Sequence, residues 1–380
     1  MVIGMILLLA LFGGINYYVG KRLFQCVRYV LPQLPKMILV IFLTLSTLLL
    51  IFAFARSFMP LPDSVKSAVG AVSVCWMGIF IYLFLFVLLS DAVLLLGRLV
   101  RLVPTKMLHK ARFAAVCAAV ACTLVTTVWG FYNASQLRHV RYDITLSDKT
   151  PDKMHIVLIS DLHLGAVGSE ARLEKLVTQI NDLRPDVVCV AGDVFDNDYC
   201  AIDDPDRARQ LLSSLQSTYG VYATLGNHDA GQTVPDMLKL LEDSGIHALH
   251  DEHVVIDDRF VLVGRLDGTP IGGASGFRRA DTKAVMENVP KDLPVIVMDH
   301  NPANIGQYGA ETDLIVCGHT HKGQLFPGSI ITGLMYAVDY GYYQKDAESP
   351  QVVVTSGAGT WGPPMRIGTD CEIAIVELGP

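Results

Sequence analysis

The stretch Val187-Val-Cys-Val-Ala-Gly-Asp193 decides the fold, because a short apolar run ends there just before a carboxylate. A run of this length, rich in Val and bounded by Gly, is typical of a buried strand in an α/β sheet. The same arrangement occurs four more times in the second half of the chain, where apolar runs end before Asp161, Asn227, His300 and His319. The carboxyl ends of such strands form one rim, so we expect these side chains to converge on one spot.

Five short motifs at these strand ends carry metal-ligand chemistry. They are, in chain order, Asp161-Leu-His163, Gly192-Asp193, Gly226-Asn-His228-Asp229, His300 and Gly318-His-Thr-His321. Seven Asp, Asn and His donors that include one shareable carboxylate are enough for two divalent ions side by side. A single structural zinc would need only four donors. The donors do not identify the metal, because manganese, iron, zinc, cobalt and nickel all accept them.

This ordered set of motifs resembles the calcineurin-like metallophosphoesterases over about residues 153–325. The resemblance implies a centre of two divalent ions in which Asp193 bridges both. It also implies that His228 serves as a proton donor or phosphate contact and that Asp196 orients His228. The first ion would be held by Asp161, His163, Asp193 and His321, and the second by Asp193, Asn227, His300 and His319.

The family's fold has two mixed β-sheets packed face to face with helices outside, and a hairpin predicted from His253 to Val263 favours it. The implied reaction is hydrolysis of a phosphomonoester, a phosphodiester or a pyrophosphate by a hydroxide held between the two ions. The alternative is a membrane sensor or scaffold that binds metal without turnover. The intact His228 and Asp196 argue against that alternative, and metal-dependent turnover of a chromogenic phosphodiester would separate the two.

Two cations outside the five motifs are candidates for substrate binding. Arg366 ends the segment Gly359-Thr-Trp-Gly-Pro-Pro-Met-Arg366, which is similar to segments in membrane-associated bacterial members of the family. It would either grip a phosphate or be an ordinary surface or ion-paired arginine. Lys322 follows His321 at a place that is often glycine in this branch. It would either add a cation near the substrate or point into water.

The first part of the chain is apolar and predicts a membrane anchor. Stretches at about residues 2–19, 37–58, 70–96 and 112–131 are each long enough for a span of roughly 20 residues. A cleaved signal peptide is the alternative for the first stretch, but it lacks a basic leading region and a clear cleavage site. We therefore predict an α/β protein with four transmembrane helices in residues 1–135, a linker in 136–152 and a catalytic domain in 153–380.

Charge divides the chain at the same place. Of the 30 Lys and Arg residues, 13 precede Asp143, together with only Asp63 and Asp91 of the 37 acidic residues. The remainder is strongly acidic and is a poor match for nucleic acid, which is bound by clustered Lys and Arg. The oligomeric state cannot be read from the sequence.

The distribution of basic residues also predicts the orientation in the membrane. The links between predicted helices one and two and between three and four are the richest in Lys and Arg, which places both links in the cytoplasm. Both chain ends, and with them the catalytic domain, should then be extracytoplasmic in a multi-pass cell-membrane protein. The short connection to the catalytic domain makes a lipid-linked phosphate the leading substrate class.

Overall fold

The computed structural model describes residues 2–55, 59, 61–146, 153–271 and 277–379. It divides into two compact units, Met1–Phe131 and Tyr132–Pro380, which we call the helical unit and the catalytic unit. The helices of the first part of the chain are α1 Val2–Val30, α2 Met37–Ala55, α3 Asp63–Leu99 and α4 Leu108–Ala134.

Apolar composition accounts for these helices. Within the described residues, Val65–Leu99 and Thr105–Ala134 are long and apolar enough to cross a membrane, whereas Met37–Ala53 is apolar but shorter. Two of the four predicted spans therefore meet the length and composition criterion, and four spans remain a prediction.

The strands of the catalytic unit form two sheets of six. They are β1 Leu137–Thr145, β2 Met154–Ile159, β3 Val187–Ala191, β4 Val221–Thr224, β5 Ile246–Ala248, β6 Glu252–Ile256, β7 Phe260–Arg265, β8 Val295–Asp299, β9 Leu314–Cys317, β10 Gly341–Tyr343, β11 Gln351–Val354 and β12 Cys371–Gly379. The first sheet has the order β1-β12-β2-β3-β4-β5 and the second the order β10-β11-β9-β8-β7-β6. Both sheets mix parallel and antiparallel pairs, as the family resemblance implied.

Three apolar layers hold the sheets and helices together. The middle layer lies between the sheets and contains Leu158 of β2, Leu262 of β7 and Ile296 of β8. The remaining helices are α5 Ser169–Leu183, α6 Pro205–Ser213, α7 Val234–Asp243, α8 Thr282–Glu287 and α9 Gly328–Met335. Side chains of α5, α6 and α7 pack in one apolar cluster with the first sheet, and α8 packs with the second. The predicted sandwich flanked by helices is confirmed.

The predicted hairpin and the predicted linker had different outcomes. The strands β6 and β7 pair antiparallel around Asp257 and Asp258, both of which have positive φ, so the hairpin is confirmed. The first part of the linker expected over 136–152 forms the strand β1 instead. This strand pairs in parallel with β12 along nine residues. The catalytic unit therefore starts earlier than residue 153. Residues 147–152 of the predicted linker lie outside the described residues.

Candidate metal centre

The predicted ligands lie where five central strands end. Asp161 and His163 follow β2, Asp193 follows β3 and Asn227 follows β4, and the remaining ligands follow β8 and β9. Sharp turns aim these side chains, since most of the ligands have a positive φ that residues other than glycine adopt at a cost. The ligands with positive φ are Asp161, His163, Asp193, His319 and His321.

The first ligand group consists of Asp161, His163 and His321, all of them buried. The His163 Nε2 atom is 3.2 Å from His321 Nε2, which in turn is 3.3 Å from Asp161 Oδ1. The Oδ2 atom of Asp161 accepts hydrogen bonds from the Ser160 hydroxyl and the His319 amide, whereas Oδ1 has no hydrogen-bond partner among the described residues. Three donor atoms of this kind around one point fit a divalent cation.

The second ligand group consists of Asn227, His300 and His319. The Oδ1 atom of Asn227 is 2.8 Å from His319 Nδ1 and 3.2 Å from His300 Nε2. The His300 Nδ1 atom lies 2.7 Å from the Ala191 carbonyl oxygen and can donate to it. That hydrogen bond uses Nδ1 and leaves Nε2, the atom that faces Asn227, as the nitrogen that would bind a metal.

Asp193 lies between the two groups. Its Oδ2 atom is 3.1 Å from His300 Nε2 and 4.0 Å from His163 Nε2, and its Oδ1 accepts from the His228 amide at 2.8 Å. Burial alone would raise the pKa of Asp193, but the neighbouring His300 and His163 lower it below its ordinary range. An ionised carboxylate in this position fits a ligand shared by two ions.

His228 and Asp196 lie beside the first ligand group. The side chains of His163, Asp196 and His228 each place one possible ligand atom within 4.8 Å of the other two. The Asp196 Oδ1 atom is 3.5 Å from His163 Nδ1, so Asp196 supports a predicted metal ligand. Its implied role in orienting His228 remains a prediction. Burial lowers the pKa of His228, and Asp193 offsets part of that effect.

Asp229 has a structural role that the sequence analysis did not assign, although it belongs to a quoted motif. Its carboxylate accepts from the amides of Gly226, Phe195 and Val194 at 2.9, 2.7 and 3.2 Å. Burial and the nearby Asp193 raise its pKa to about 6, while the amide hydrogen bonds act in the opposite direction. Asp229 thus connects the turn that carries Asn227 to the turn that carries Asp193.

Arg366 is buried and not an ordinary surface arginine, and its predicted contact with a phosphate remains a prediction. Its side chain is fully buried and donates to the carbonyl oxygens of His321, Ser356 and Gly359 at 3.0, 2.7 and 2.6 Å. The backbone can crowd around the guanidinium because a Cβ at Gly359 would collide with the main chain of Asp161.

The guanidinium also reaches the first ligand group. One of its nitrogens is 3.1 Å from His321 Nδ1. Burial and this adjacent cation hold the pKa of His321 well below its usual range. His321 is therefore neutral, which is the form that binds metal.

Lys322 rests on an aromatic ring. Its ammonium nitrogen lies 4.0 Å from the centre of the Tyr340 ring, a cation–π contact. The predicted contact between Lys322 and a substrate remains a prediction.

Comparison with known proteins agrees with this site. The family model described as calcineurin-like phosphoesterase matches residues 154–323. An uncharacterized metallophosphoesterase of Aquifex aeolicus is 32% identical over 64% of this chain and 92% of its own length. A transmembrane protein with metallophosphoesterase domain from Danio rerio is 28% identical over 96% of this chain and 86% of its own length. The UDP-2,3-diacylglucosamine pyrophosphatase of Chlamydia trachomatis is 23% identical over 65% of this chain and 92% of its own length.

Proposed function

Because the chain belongs to the calcineurin-like phosphoesterase family, it is a metal-dependent phosphoric ester hydrolase, and we propose that its substrate is a lipid-linked phosphate. We also propose the assignment of ligands that the resemblance implied: the first ligand group with Asp193 for one ion, and the second with Asp193 for the other. Bound divalent ions would neutralise phosphate oxygens and lower the pKa of a water molecule. The His228 imidazole would supply the proton that the leaving alkoxide needs.

The single observation that carries the lipid proposal is the outward apolar face of α9. Four of its eight residues have large apolar side chains that lie on one side of the helix. These side chains are exposed rather than buried. The exposed fractions are 54% for Ile330, 59% for Ile331, 83% for Leu334 and 69% for Met335. An apolar helix face that is left exposed in a folded unit marks a surface for an apolar partner.

The inward face of α9 explains why the helix is oriented in this way. The Thr332 hydroxyl donates to the Asp339 carboxylate at 2.6 Å, and the Thr320 hydroxyl donates to the Asp339 main-chain oxygen at 2.5 Å. Thr320 lies between His319 and His321, so these contacts fix α9 beside the metal ligands. The Tyr336 ring, which follows α9, also meets the His319 ring edge to face at 6.1 Å. An acyl chain on this face would therefore lie close to the reacting phosphate.

Two relatives support this substrate class. The Danio rerio relative is named as a transmembrane protein, and the Chlamydia trachomatis relative is named for a pyrophosphatase whose substrate is diacylated. Lipid phosphodiesters and lipid-linked pyrophosphates both fit the proposal.

The proposed placement in the membrane follows the sequence-based topology. Four spans would put the basic links between α1 and α2 and between α3 and α4 in the cytoplasm and the catalytic unit outside it. A fusion of alkaline phosphatase after Pro380 should be active, and a fluorescent reporter that matures only in the cytosol should stay dark there. A fluorescent cytosolic fusion would reverse the placement.

The substrate class is tested with the full chain in lipid nanodiscs. We expect a diacylated nucleoside-diphosphate sugar to be hydrolysed with a higher kcat/KM than the same compound without acyl chains. Replacing Ile331 and Leu334 together by Ser should lower kcat/KM for the acylated compound at least about tenfold, since burying each such side chain is worth about 1.5–3 kcal/mol.

Two controls complete the experiment. Turnover of a chromogenic phosphodiester without acyl chains should be unchanged in the α9 variant. Val255→Ser, which changes another exposed apolar residue of the catalytic unit, should alter neither activity. If water-soluble nucleotides were hydrolysed far faster than any lipid head group, even with micelles present, the lipid proposal would be wrong.

A further inference from the structure

The helical unit contains a cavity that is lined mainly by cations and aromatic rings. It measures about 660 Å³ and lies between the C-terminal half of α1, the start of α2 and the start of α4. Its basic lining residues are Lys21, Arg22, Arg28, Lys36, His109 and Arg112. A cavity of this size can hold a ligand the size of a lipid head group.

The charge of this cavity is poorly compensated. No carboxylate lines it among the described residues. Asp91, which does not line the cavity, neutralises Arg22, since its Oδ2 atom is 2.7 Å from Arg22 Nε. The Arg112 Nε atom is buried and has no hydrogen-bond partner in the described part of the chain. An unpaired buried donor among several cations favours an anion with several acceptor oxygens.

An apolar groove continues from the cationic cavity. It measures about 650 Å³ and shares Phe24, Cys26, Leu39 and Val116 with the cavity. The groove runs along α4 from Val116 to Leu124 and is lined almost entirely by apolar side chains. The joined space thus has one cationic end and one apolar end.

The length of this space matches one leaflet of a membrane. Arg112 and Leu124 are 12 residues apart on one helix, which corresponds to about 18 Å at 1.5 Å per residue. The hydrocarbon core of a bilayer is about 30 Å thick, so one leaflet contributes roughly 15 Å. The cations lie near the α1–α2 turn and the start of α4, where a span would meet the head groups.

We propose that the cavity and the groove form one binding site for an anionic phospholipid, with the phosphate among Lys36, Arg112 and Lys21 and an acyl chain along α4. The site belongs to the helical unit and is independent of the hydrolase activity. The lipid is bound and is not consumed.

The test uses the full chain purified in mild detergent, with phosphatidylglycerol and phosphatidylcholine as probes and native mass spectrometry as the readout. We expect one phosphatidylglycerol to be retained per chain and phosphatidylcholine to be lost. The double variant Lys36→Gln/Arg112→Gln should weaken retention about 10- to 30-fold, since each basic residue near an anionic lipid raises the binding affinity about fivefold. The matched control Arg101→Gln/Lys110→Gln removes the same charge outside the cavity and should retain the lipid.

A second pair of variants tests the apolar end. Val120→Trp fills the groove and should release phosphatidylglycerol, whereas Val128→Trp adds the same ring at an exposed position of α4 and should not. The thermal unfolding of each variant in detergent without lipid shows whether it is folded, and only folded variants are compared.

Three outcomes would overturn the proposal. Equal retention of the two lipids would show nonspecific binding around the helices. Displacement of the lipid by millimolar inorganic phosphate, with no effect of Val120→Trp, would show a site for a free anion. A lipid-free dimer would assign the groove to a second copy of the chain.

Discussion

The two ligand groups of the metal centre are supported in different ways. Behind the first group lie ionisable side chains, since Asp196 is 3.5 Å from His163 and Arg366 is 3.1 Å from His321. Behind the second group lies main chain, since His300 faces the Ala191 carbonyl of β3. A substitution remote from the ions can therefore disturb the first group, whereas the second is held by the sheet itself.

The largest effect is expected from changing Asp193, the residue that we propose both groups share. Asp193→Asn keeps the size of the side chain but takes one negative charge from both ions. We expect metal content below two per chain by plasma mass spectrometry and a fall in hydrolysis of more than about 10⁴-fold. Asp206→Asn, at an exposed carboxylate of α6, is the matched control. Two bound ions and normal turnover in Asp193→Asn would mean that the groups do not share this ligand.

The next largest effect is expected from a substitution that leaves both ligand groups intact. His228→Ala should keep both ions and lower the rate about 10²–10⁴-fold, as for loss of general acid–base catalysis. The loss should be greatest for a substrate with a poor leaving group, measured beside one with a good leaving group. His139→Ala, on the exposed strand β1, should have no effect. An equal loss on both substrates would argue against proton donation by His228.

A smaller effect should separate the two groups. Arg366→Lys keeps the charge but loses the planar set of donors that contacts the His321 ring and four main-chain oxygens. We expect affinity for one of the two ions to fall about 10- to 100-fold, as for a lost contact behind a metal ligand, while the other ion stays bound. Calorimetric metal titration measures both affinities, with Arg141→Lys at an exposed ion pair as the control. Equal weakening of both ions would show that the two groups are not independent.

The smallest effect is expected beside the first group. Lys322→Gln removes a cation–π contact and should cost about 0.5–1 kcal/mol in the free energy of unfolding, measured by denaturant titration. We expect KM and kcat to stay within about twofold of the parent protein. A large rise in KM with kcat unchanged would instead place the Lys322 ammonium on the substrate, as the sequence allows.

The sequence could predict which donor residues come together, because each follows an apolar strand and the sheet brings the strand ends to one place. Arg366 could not be predicted in this way, because its partners are main-chain oxygens. The His321 carbonyl comes from a turn 45 residues away in the sequence, and Gly359 lets the nearer segment approach the main chain of Asp161.

Two other features also depended on tertiary structure. The residues of β1 alternate only weakly between apolar and polar, because an edge strand has few positions that require burial. The apolar arc of α9 is visible in the sequence, but only the contacts of Thr332 and Thr320 with Asp339 reveal that the arc faces outward.

The pairing of β1 with β12 has a consequence for biosynthesis. The two strands lie side by side, yet about 230 residues separate Leu137 from its partner Cys371, so at about 5–20 residues per second the ribosome adds β12 roughly 10–50 seconds after β1. During that interval β2 also lacks one of its two neighbours, because β12 lies between β1 and β2. The first sheet can therefore be completed only after β12 has been made, and a chain interrupted before that point would expose β1 and one open edge of β2 to aggregation.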